Sequence, residues 1–183
     1  MSFSINQFKA AVGQGGTRNN LFEVRLTNPA TQVADLNFPF LCKAASLPSS
    51  TIAAIPLHYF GRAINLAGNR TFDPWTVTII NDENFQVRNA METWSNFING
   101  FEQNIRQFPA SDASLYKTTA DVVQFSQTGD ELRTYKMVGM FPTSISAIPL
   151  DWDADNIEQF EVQFQIDYWF VAASATADLA GGV

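Results

Sequence analysis

The stretch FEVQFQIDYWF, from residue 160 to residue 170, constrains the fold more than any other part of the chain. Large apolar side chains alternate in it with polar ones, so that successive residues point to opposite faces of an extended chain. The face expected to be dry holds Phe160, Val162, Phe164, Ile166, Tyr168 and Phe170. The face expected to be wet holds Glu161, Gln163, Gln165 and Asp167. A period of two residues over this length predicts one long β-strand with its dry face on a core.

Three aspartates, Asp151, Asp153 and Asp155, precede this strand at spacings of two residues. A calcium loop that began at Asp151 would need a bidentate glutamate at its twelfth position, where the chain has Val162. Asp side chains in a polar stretch commonly hydrogen-bond to their own backbone in turns. The pattern therefore favours a turn, with a weak cation site as the alternative.

Several shorter stretches also have strand character. They are residues 20–27, 38–45, 73–81, 122–128 and 132–141. Pro39 places the second of them at a strand start or at a sheet edge, because proline cannot donate to a ladder. Gly129 and Asp130 lie between the last two stretches, which is a signal for a hairpin.

One segment, residues 81–100, changes to a helical period. Its apolar residues recur at helical spacing, and they are Phe85, Ala90, Met91, Trp94, Phe97 and Ile98. Asp82 is suited to cap the start and Gly100 to close the end. We expect this helix to cover a sheet. Six or seven strands with one main helix predict a mainly β protein, a sandwich or barrel with the helix against its side.

Residues 46–70 form a long segment without acidic residues, interrupted by Pro48 and Pro56. Prolines break interior ladders, so we expect an extended hairpin or a protruding loop whose apolar surface contacts another chain. A loop folded back on its own core is the alternative. The whole chain, 1–183, is expected to be a single domain, with an N-terminal arm at 1–19 and a flexible C-terminal extension at 172–183.

Composition narrows the classes of function. The net charge of −7 disfavours a protein that wraps nucleic acid, which needs Lys and Arg to replace counterions. No apolar run is long enough for a membrane span. Cys42 and His58 are the only residues of their types, and both lie in apolar stretches, which favours an inert thiol and a structural or interface imidazole. We therefore expect no enzyme activity, no metal site and no cofactor.

Several stretches together resemble the tail tube protein of contractile-tailed bacteriophages of the T-even type. They are NNLFEVRL (19–26), FLCKAASLP (40–48), RAINLAGNRTFDPWTVTIINDENFQVRNAMETW (62–94) and FPTSISAIPLDWDADNIEQFEVQFQIDYW (141–169). The resemblance implies a β-sandwich subunit in hexameric rings whose sheets join into one continuous inner β-barrel. The rings would stack into a tube inside a contractile sheath, with tape-measure protein and double-stranded DNA passing through the lumen, and with baseplate and tail terminator proteins at its ends. Such a protein belongs to the virion and is assembled in the cytoplasm of the host bacterium.

Combined with the residue pattern, the resemblance gives two sets of expected site residues. Glu161, Gln163, Gln165 and Asp167 would line the lumen, or in an alternative facing would lie on the outer sheet surface. The expected contacts between subunits or rings are Phe8, Ile52, Ile55, Leu57, Tyr59, Phe60, Trp75 and Trp152, the two tryptophans serving as packing or interface anchors.

Two other functions compete with a phage tail tube. One is the tube of a type VI secretion system or of a contractile bacteriocin, which shares the architecture that the resemblance implies. The other is a β-barrel that binds a small apolar ligand, motivated by the sixteen phenylalanines.

Overall fold

A computed structural model of the chain describes residues 4–12, 16–31, 35, 37–106, 112–153 and 155–172. The helices are α1 (Ile5–Val12), α2 (Phe38–Leu41) and α3 (Gln86–Ile98), and a short 3-10 turn spans Ala113–Leu115. The strands are β1 (Phe22–Leu26), β2 (Cys42–Ala45), β3 (Ser50–Tyr59), β4 (Arg62–Phe72), β5 (Trp75–Ile80), β6 (Thr118–Phe125), β7 (Glu131–Ile145), β8 (Gln159–Gln165) and β9 (Tyr168–Ala172). The predicted C-terminal extension, apart from residue 172, lies outside the described residues.

Seven of these strands are connected by antiparallel pairing, six of them in the order β1-β6-β7-β8-β5-β2 and the seventh, β9, beside β7, while β3 and β4 form a separate hairpin. Strand β7 belongs to two sheets. Its first part pairs with β6 and β9, and its last part, from Phe141, pairs with β8. We call β1, β6, β9 and the first part of β7 the first sheet, and β2, β5, β8 and the last part of β7 the second sheet. The predicted mainly β class is confirmed, and the sheets are open rather than closed into a barrel.

The core fills the space enclosed by the two sheets and helix α3. Trp94 on α3 is fully buried and packs 6.0 Å from the ring of Phe164 on β8. Trp75 on β5 lies 5.7 Å from the same ring. Both indole nitrogens donate hydrogen bonds to backbone oxygens, Trp94 to Tyr116 at 2.9 Å and Trp75 to Ser46 at 2.7 Å. Each large ring is thus buried without leaving its N–H group unpaired.

Helix α3 is present where the sequence predicts it. Its buried face holds Val87, Ala90, Met91 and Trp94. The N-cap position is Phe85 rather than the predicted Asp82. The side chain of Asp82 nevertheless accepts a hydrogen bond from the backbone N–H of Gln86, the first residue of the helix, at 3.0 Å. Phe85 was wrongly placed in the buried stripe, because it precedes the helix in a left-handed conformation (φ 53°) and is exposed.

The prediction of one long strand at 160–170 is wrong in its second half. Strand β8 ends at Gln165, and β9 begins at Tyr168. The two run along the same side of β7 without a shift of register, since Gln165 pairs with Phe141 and Tyr168 with Val138.

The residues that point toward the core nevertheless change at this break from even-numbered to odd-numbered positions. Phe160, Val162, Phe164 and Ile166 are buried as predicted, whereas Tyr168 and Phe170 are exposed, and Trp169 packs against the core instead. On β7, both Met137 and Met140 are buried, although one holds an odd-numbered and the other an even-numbered position. The alternation of inward and outward side chains on β7 therefore also shifts at this point.

Residues 38–45 also differ from the prediction of a strand. Phe38–Leu41 form a helical turn with Pro39 at its start, where the missing N–H group costs no intrahelical hydrogen bond. Only Cys42–Ala45 are extended, and they form an edge strand of the second sheet beside β5. The strands predicted at 20–27 and 73–81 are confirmed as β1 and β5, and the hairpin around Gly129 (φ +91°) is confirmed as β6 and β7.

Candidate functional site

Strands β3 and β4 form a hairpin that is separate from the two main sheets, and among the described strands they pair only with each other. Of the two forms predicted for the 46–70 segment, the structure has the hairpin. Every residue from 51 to 67 is exposed. An isolated two-stranded ribbon is marginal in water, so this hairpin gains little from the body of its own subunit.

The two faces of this hairpin differ in the size of their side chains. Cross-strand pairs Ile55–Leu66 and Leu57–Ile64 place large apolar residues on one face. The other face carries small or polar residues, namely Ala54, Pro56, His58, Ala63, Asn65 and Ala67. Tyr59 and Phe60 lie at the tip, where Phe60 (φ 47°) and Gly61 (φ 79°) form the turn, and Phe60 is 91% exposed.

A second exposed surface is formed by the loop that joins β7 to β8. We call residues 146–158 the acidic loop, because they include Asp151, Asp153, Asp155 and Glu158 and no Lys or Arg. A side-chain oxygen of Asp151 accepts a hydrogen bond from the backbone N–H of Asp153 at 3.1 Å, so the predicted turn is present. The described residues contain no group of three or more His, Cys, Asp or Glu side chains that could hold a metal ion.

The acidic loop also exposes large apolar side chains. Trp152 is fully exposed, Leu150 is 81% exposed and Ile157 is 72% exposed. Together with Ile148, Pro149 and Gln159 they line an open cleft of about 640 Å³. A tryptophan that is fully exposed among the described residues of its subunit is unusual, since its large surface is normally buried in a core or an interface.

The predicted lumen residues do not all have the same surroundings. Glu161 and Gln163 are exposed on the outward face of the second sheet, opposite Thr78 and Thr76 of β5. Gln165 is half-buried.

Asp167 lies at the break between β8 and β9, where both oxygens of its carboxylate are 2.8 Å from the Nζ of Lys117. The predicted wet face is therefore polar but less acidic than its sequence indicates, because Lys117 balances the charge of Asp167.

The predicted contact residues also separate into groups. Phe8, Ile52, Ile55, Leu57, Tyr59, Phe60 and Trp152 are exposed. Trp75 is 1% exposed, so its proposed contact with another subunit is wrong, and its packing role remains. Ile64, Leu66, Leu150 and Ile157 are exposed as well, although they are not among the predicted contacts. The alternation around Gly61 was a signal for the first two, and nothing in the sequence distinguished the last two from core residues.

The two residues with catalytic potential have different surroundings. Burial raises the pKa of the Cys42 thiol from 9.0 to about 12, so that the thiol is protonated and inert at neutral pH. His58 is exposed on the small-residue face of the β3–β4 hairpin. No helix among the described residues has the length and apolar character needed to cross a membrane.

Comparison with known proteins gives a consistent result. Residues 4–172 match the family model described as phage tail tube protein. The chain is 36% identical over 154 residues to tail tube protein gp19 of Enterobacteria phage T4, covering 83% of this chain and 90% of the relative. It is 26% identical over 166 residues to the tail tube protein of Serratia phage KSP90, covering 86% and 90%.

Solved structures share the fold at lower sequence identity. The tube-terminating cap of the anti-feeding prophage superposes with a TM-score of 0.65 at 16% identity, covering 88% of this chain and 94% of that one. A chain of the sheath–tube complex of an extracellular contractile injection system gives 0.60 at 16% identity, covering 94% and 100%. On the family match and the sequence relatives, the chain belongs to the phage tail tube protein family, as the tube protein of a contractile, T-even-type tail.

Proposed function

We propose that this protein forms hexameric rings that stack into the inner tube of the tail, a conduit for the tape-measure protein and the phage genome. The observation that carries the proposal is the β3–β4 hairpin, which exposes large apolar side chains along a ribbon whose two strands pair with no other strand in the described part of the chain. Exposed apolar surface of this extent marks a contact with another molecule. The sheath would surround the tube, and the baseplate and tail terminator would contact its ends.

Open sheet edges support the formation of a ring. Within the described ranges, strands β1, β2 and β9 each pair with one neighbouring strand only. An unpaired edge exposes backbone N–H and C=O groups that readily pair with another chain. Pairing of such edges between neighbouring subunits satisfies those groups and closes the sheets into a barrel around a channel. The protein would act as a wall, without a catalytic role.

Charge supports passage of DNA through the lumen. Six copies of a chain with a net charge of −7 carry −42. A wall of the same sign as the phosphates does not hold the duplex by attraction. We place Glu161, Gln163 and Gln165 on this wall, with Asp167 beside them in its pair with Lys117. The alternative is that these residues lie on the outer surface of the tube.

A charge-reversal experiment tests the lumen assignment. The double variant Glu161→Lys/Gln163→Lys should still form tubes, because both side chains are exposed, but phage that carry it should eject DNA more slowly and lose infectivity. Asp167 is left unchanged because a lysine there would face Lys117. The matched control is Glu102→Lys/Gln103→Lys, which makes the same two changes at exposed residues after α3. Normal ejection by the first variant would contradict the assignment.

A further inference from the structure

The base of the β3–β4 hairpin and the acidic loop lie at opposite ends of strand β5. The hairpin returns to the body at Phe72, just before β5 begins at Trp75. The acidic loop ends at Glu158, just before Gln159, which pairs with Ile80 at the other end of β5. Six residues of strand separate the two ends by roughly 17 Å at about 3.3 Å per residue. The hairpin therefore leaves the body at the end away from its own acidic loop.

The two surfaces carry opposite charge. Residues 50–72 contain Arg62 and Arg70, together with His58, and no acidic residue. The acidic loop contains four carboxylates and no Lys or Arg. Among the described residues, neither arginine forms an ion pair, and Arg70 only donates a hydrogen bond to Ser50. The charges on each surface are thus available to a partner of the opposite sign.

Both surfaces also expose large apolar side chains. The hairpin ends in two exposed aromatic rings, Tyr59 and Phe60, in edge-to-face contact at 4.6 Å. The cleft of the acidic loop has a volume of about 640 Å³ and is lined by Leu150, Trp152 and Ile157. This volume is within the range of clefts that bury small ligands, about 300–1,000 Å³, so the cleft has room for aromatic side chains.

We propose that rings stack by insertion of the hairpin tip of one subunit into the acidic-loop cleft of a subunit in the next ring. The occupant of the cleft is therefore a second copy of this chain. Tyr59 and Phe60 pack against Trp152, Leu150 and Ile157, while Arg62 lies among the loop carboxylates. Two different and complementary surfaces on one subunit are what a head-to-tail interface repeated along a tube requires. This inference rests on the proposed stacking of rings and adds which residues make the contact.

A charge exchange tests the pairing. Arg62→Glu alone and Asp153→Arg/Asp155→Arg alone should each leave rings intact and raise the critical concentration for tube formation about tenfold or more, measured by sedimentation and negative-stain microscopy. Combining the three substitutions in one chain should restore tubes, because the charges are again opposite. Glu102→Arg, an exposed acid outside the loop, is the control and should form tubes normally.

Two results of the charge exchange overturn the inference. One is normal stacking by either single-surface variant. The other is a combined variant that forms rings but no tubes. Either result leaves the proposed tube intact, with a different contact between rings. If wild-type protein forms neither rings nor tubes, the proposed function fails as well, and the two failures are therefore distinguishable.

A cross-linking experiment gives a second test that does not depend on charge reversal. Ala63→Cys and Asn156→Cys are made in separate chains, both at exposed positions beside the proposed contact, and the two proteins are mixed and assembled. A short bismaleimide should join them into a heterodimer within tubes, whereas Cys42 is buried and does not compete. Absence of this product in assembled tubes overturns the inference.

Discussion

At the scale of single residues, Gly139 and Asp167 allow β7 and its partner strand to change their inward face together. Gly139 has φ +71°, a conformation that favours glycine. Its backbone also lies against the side chain of Asp167, so an added Cβ would overlap the carboxylate. Asp167 in turn donates its backbone N–H to the oxygen of Val138 at 3.0 Å and is paired with Lys117.

Gly139→Ala should therefore destabilise the subunit more than Gly129→Ala. Gly129 also has a positive φ (+91°) but has open space where its Cβ would lie, so its substitution costs only the backbone strain, about 1–3 kcal/mol. Chemical denaturation should show a further loss for Gly139→Ala, of at least about 1 kcal/mol. Adding Asp167→Ala removes the overlapping carboxylate and should recover part of that loss. Equal stabilities of the two glycine variants would show that the overlap is unimportant.

At the scale of elements, helix α3 is attached to the second sheet chiefly through Trp94. This side chain is fully buried, packs on Phe164 and donates to the oxygen of Tyr116. The helix therefore also fixes the segment that leads into β6.

Trp94→Ala should cost about 3–5 kcal/mol in the free energy of unfolding, because it leaves a cavity and an unpaired carbonyl. Trp152→Ala is the matched control, since that side chain is fully exposed, and it should change subunit stability by less than about 0.5 kcal/mol. Denaturation of unassembled subunits measures both. A large loss for Trp152→Ala would mean that the acidic loop packs on its own subunit.

The elements also show what the sequence could and could not predict. Strict alternation identified β8, and helical periodicity identified α3, because both signals are local. The break at Asp167 was not predictable from alternation, since Trp169 is as apolar as the residues on either side of it. Phe38–Leu41 were misassigned because a proline suits the start of a helix as well as an edge strand.

The candidate site shows the same limit. The exposed hairpin followed from prolines and a lack of acids in one continuous segment. The exposure of Leu150 and Ile157 depends on what lies above them in space, which is a property of the whole fold. Trp75 and Trp152 occur in similar acidic contexts in the sequence, yet one is buried and the other is exposed.

At the scale of the whole molecule, the subunit consists of a packed body and an exposed hairpin with few contacts to it. Backbone hydrogen bonds in an isolated ribbon open more readily than those in a sheet that is covered by a core.

Hydrogen exchange should therefore show fast exchange at residues 51–67 in free subunits and strong protection of the same amides in assembled tubes. The centre of β6 and β7 should be protected in both states and is the internal control. Unchanged exchange of the hairpin on assembly would contradict its role in stacking.

The difference between the hairpin tip and the acidic-loop cleft has a consequence for how growth of the tube stops. If the hairpins of each added hexamer fill the clefts of the one before it, one terminus of the filament always displays six bare hairpins and the other six vacant clefts. A subunit can be added at either end, and the two ends are different, so the tube is polar. The contact between rings does not by itself set the length of the tube. Two dissimilar stoppers are then needed, a basic and aromatic one for the vacant clefts and an acidic, grooved one for the bare hairpins.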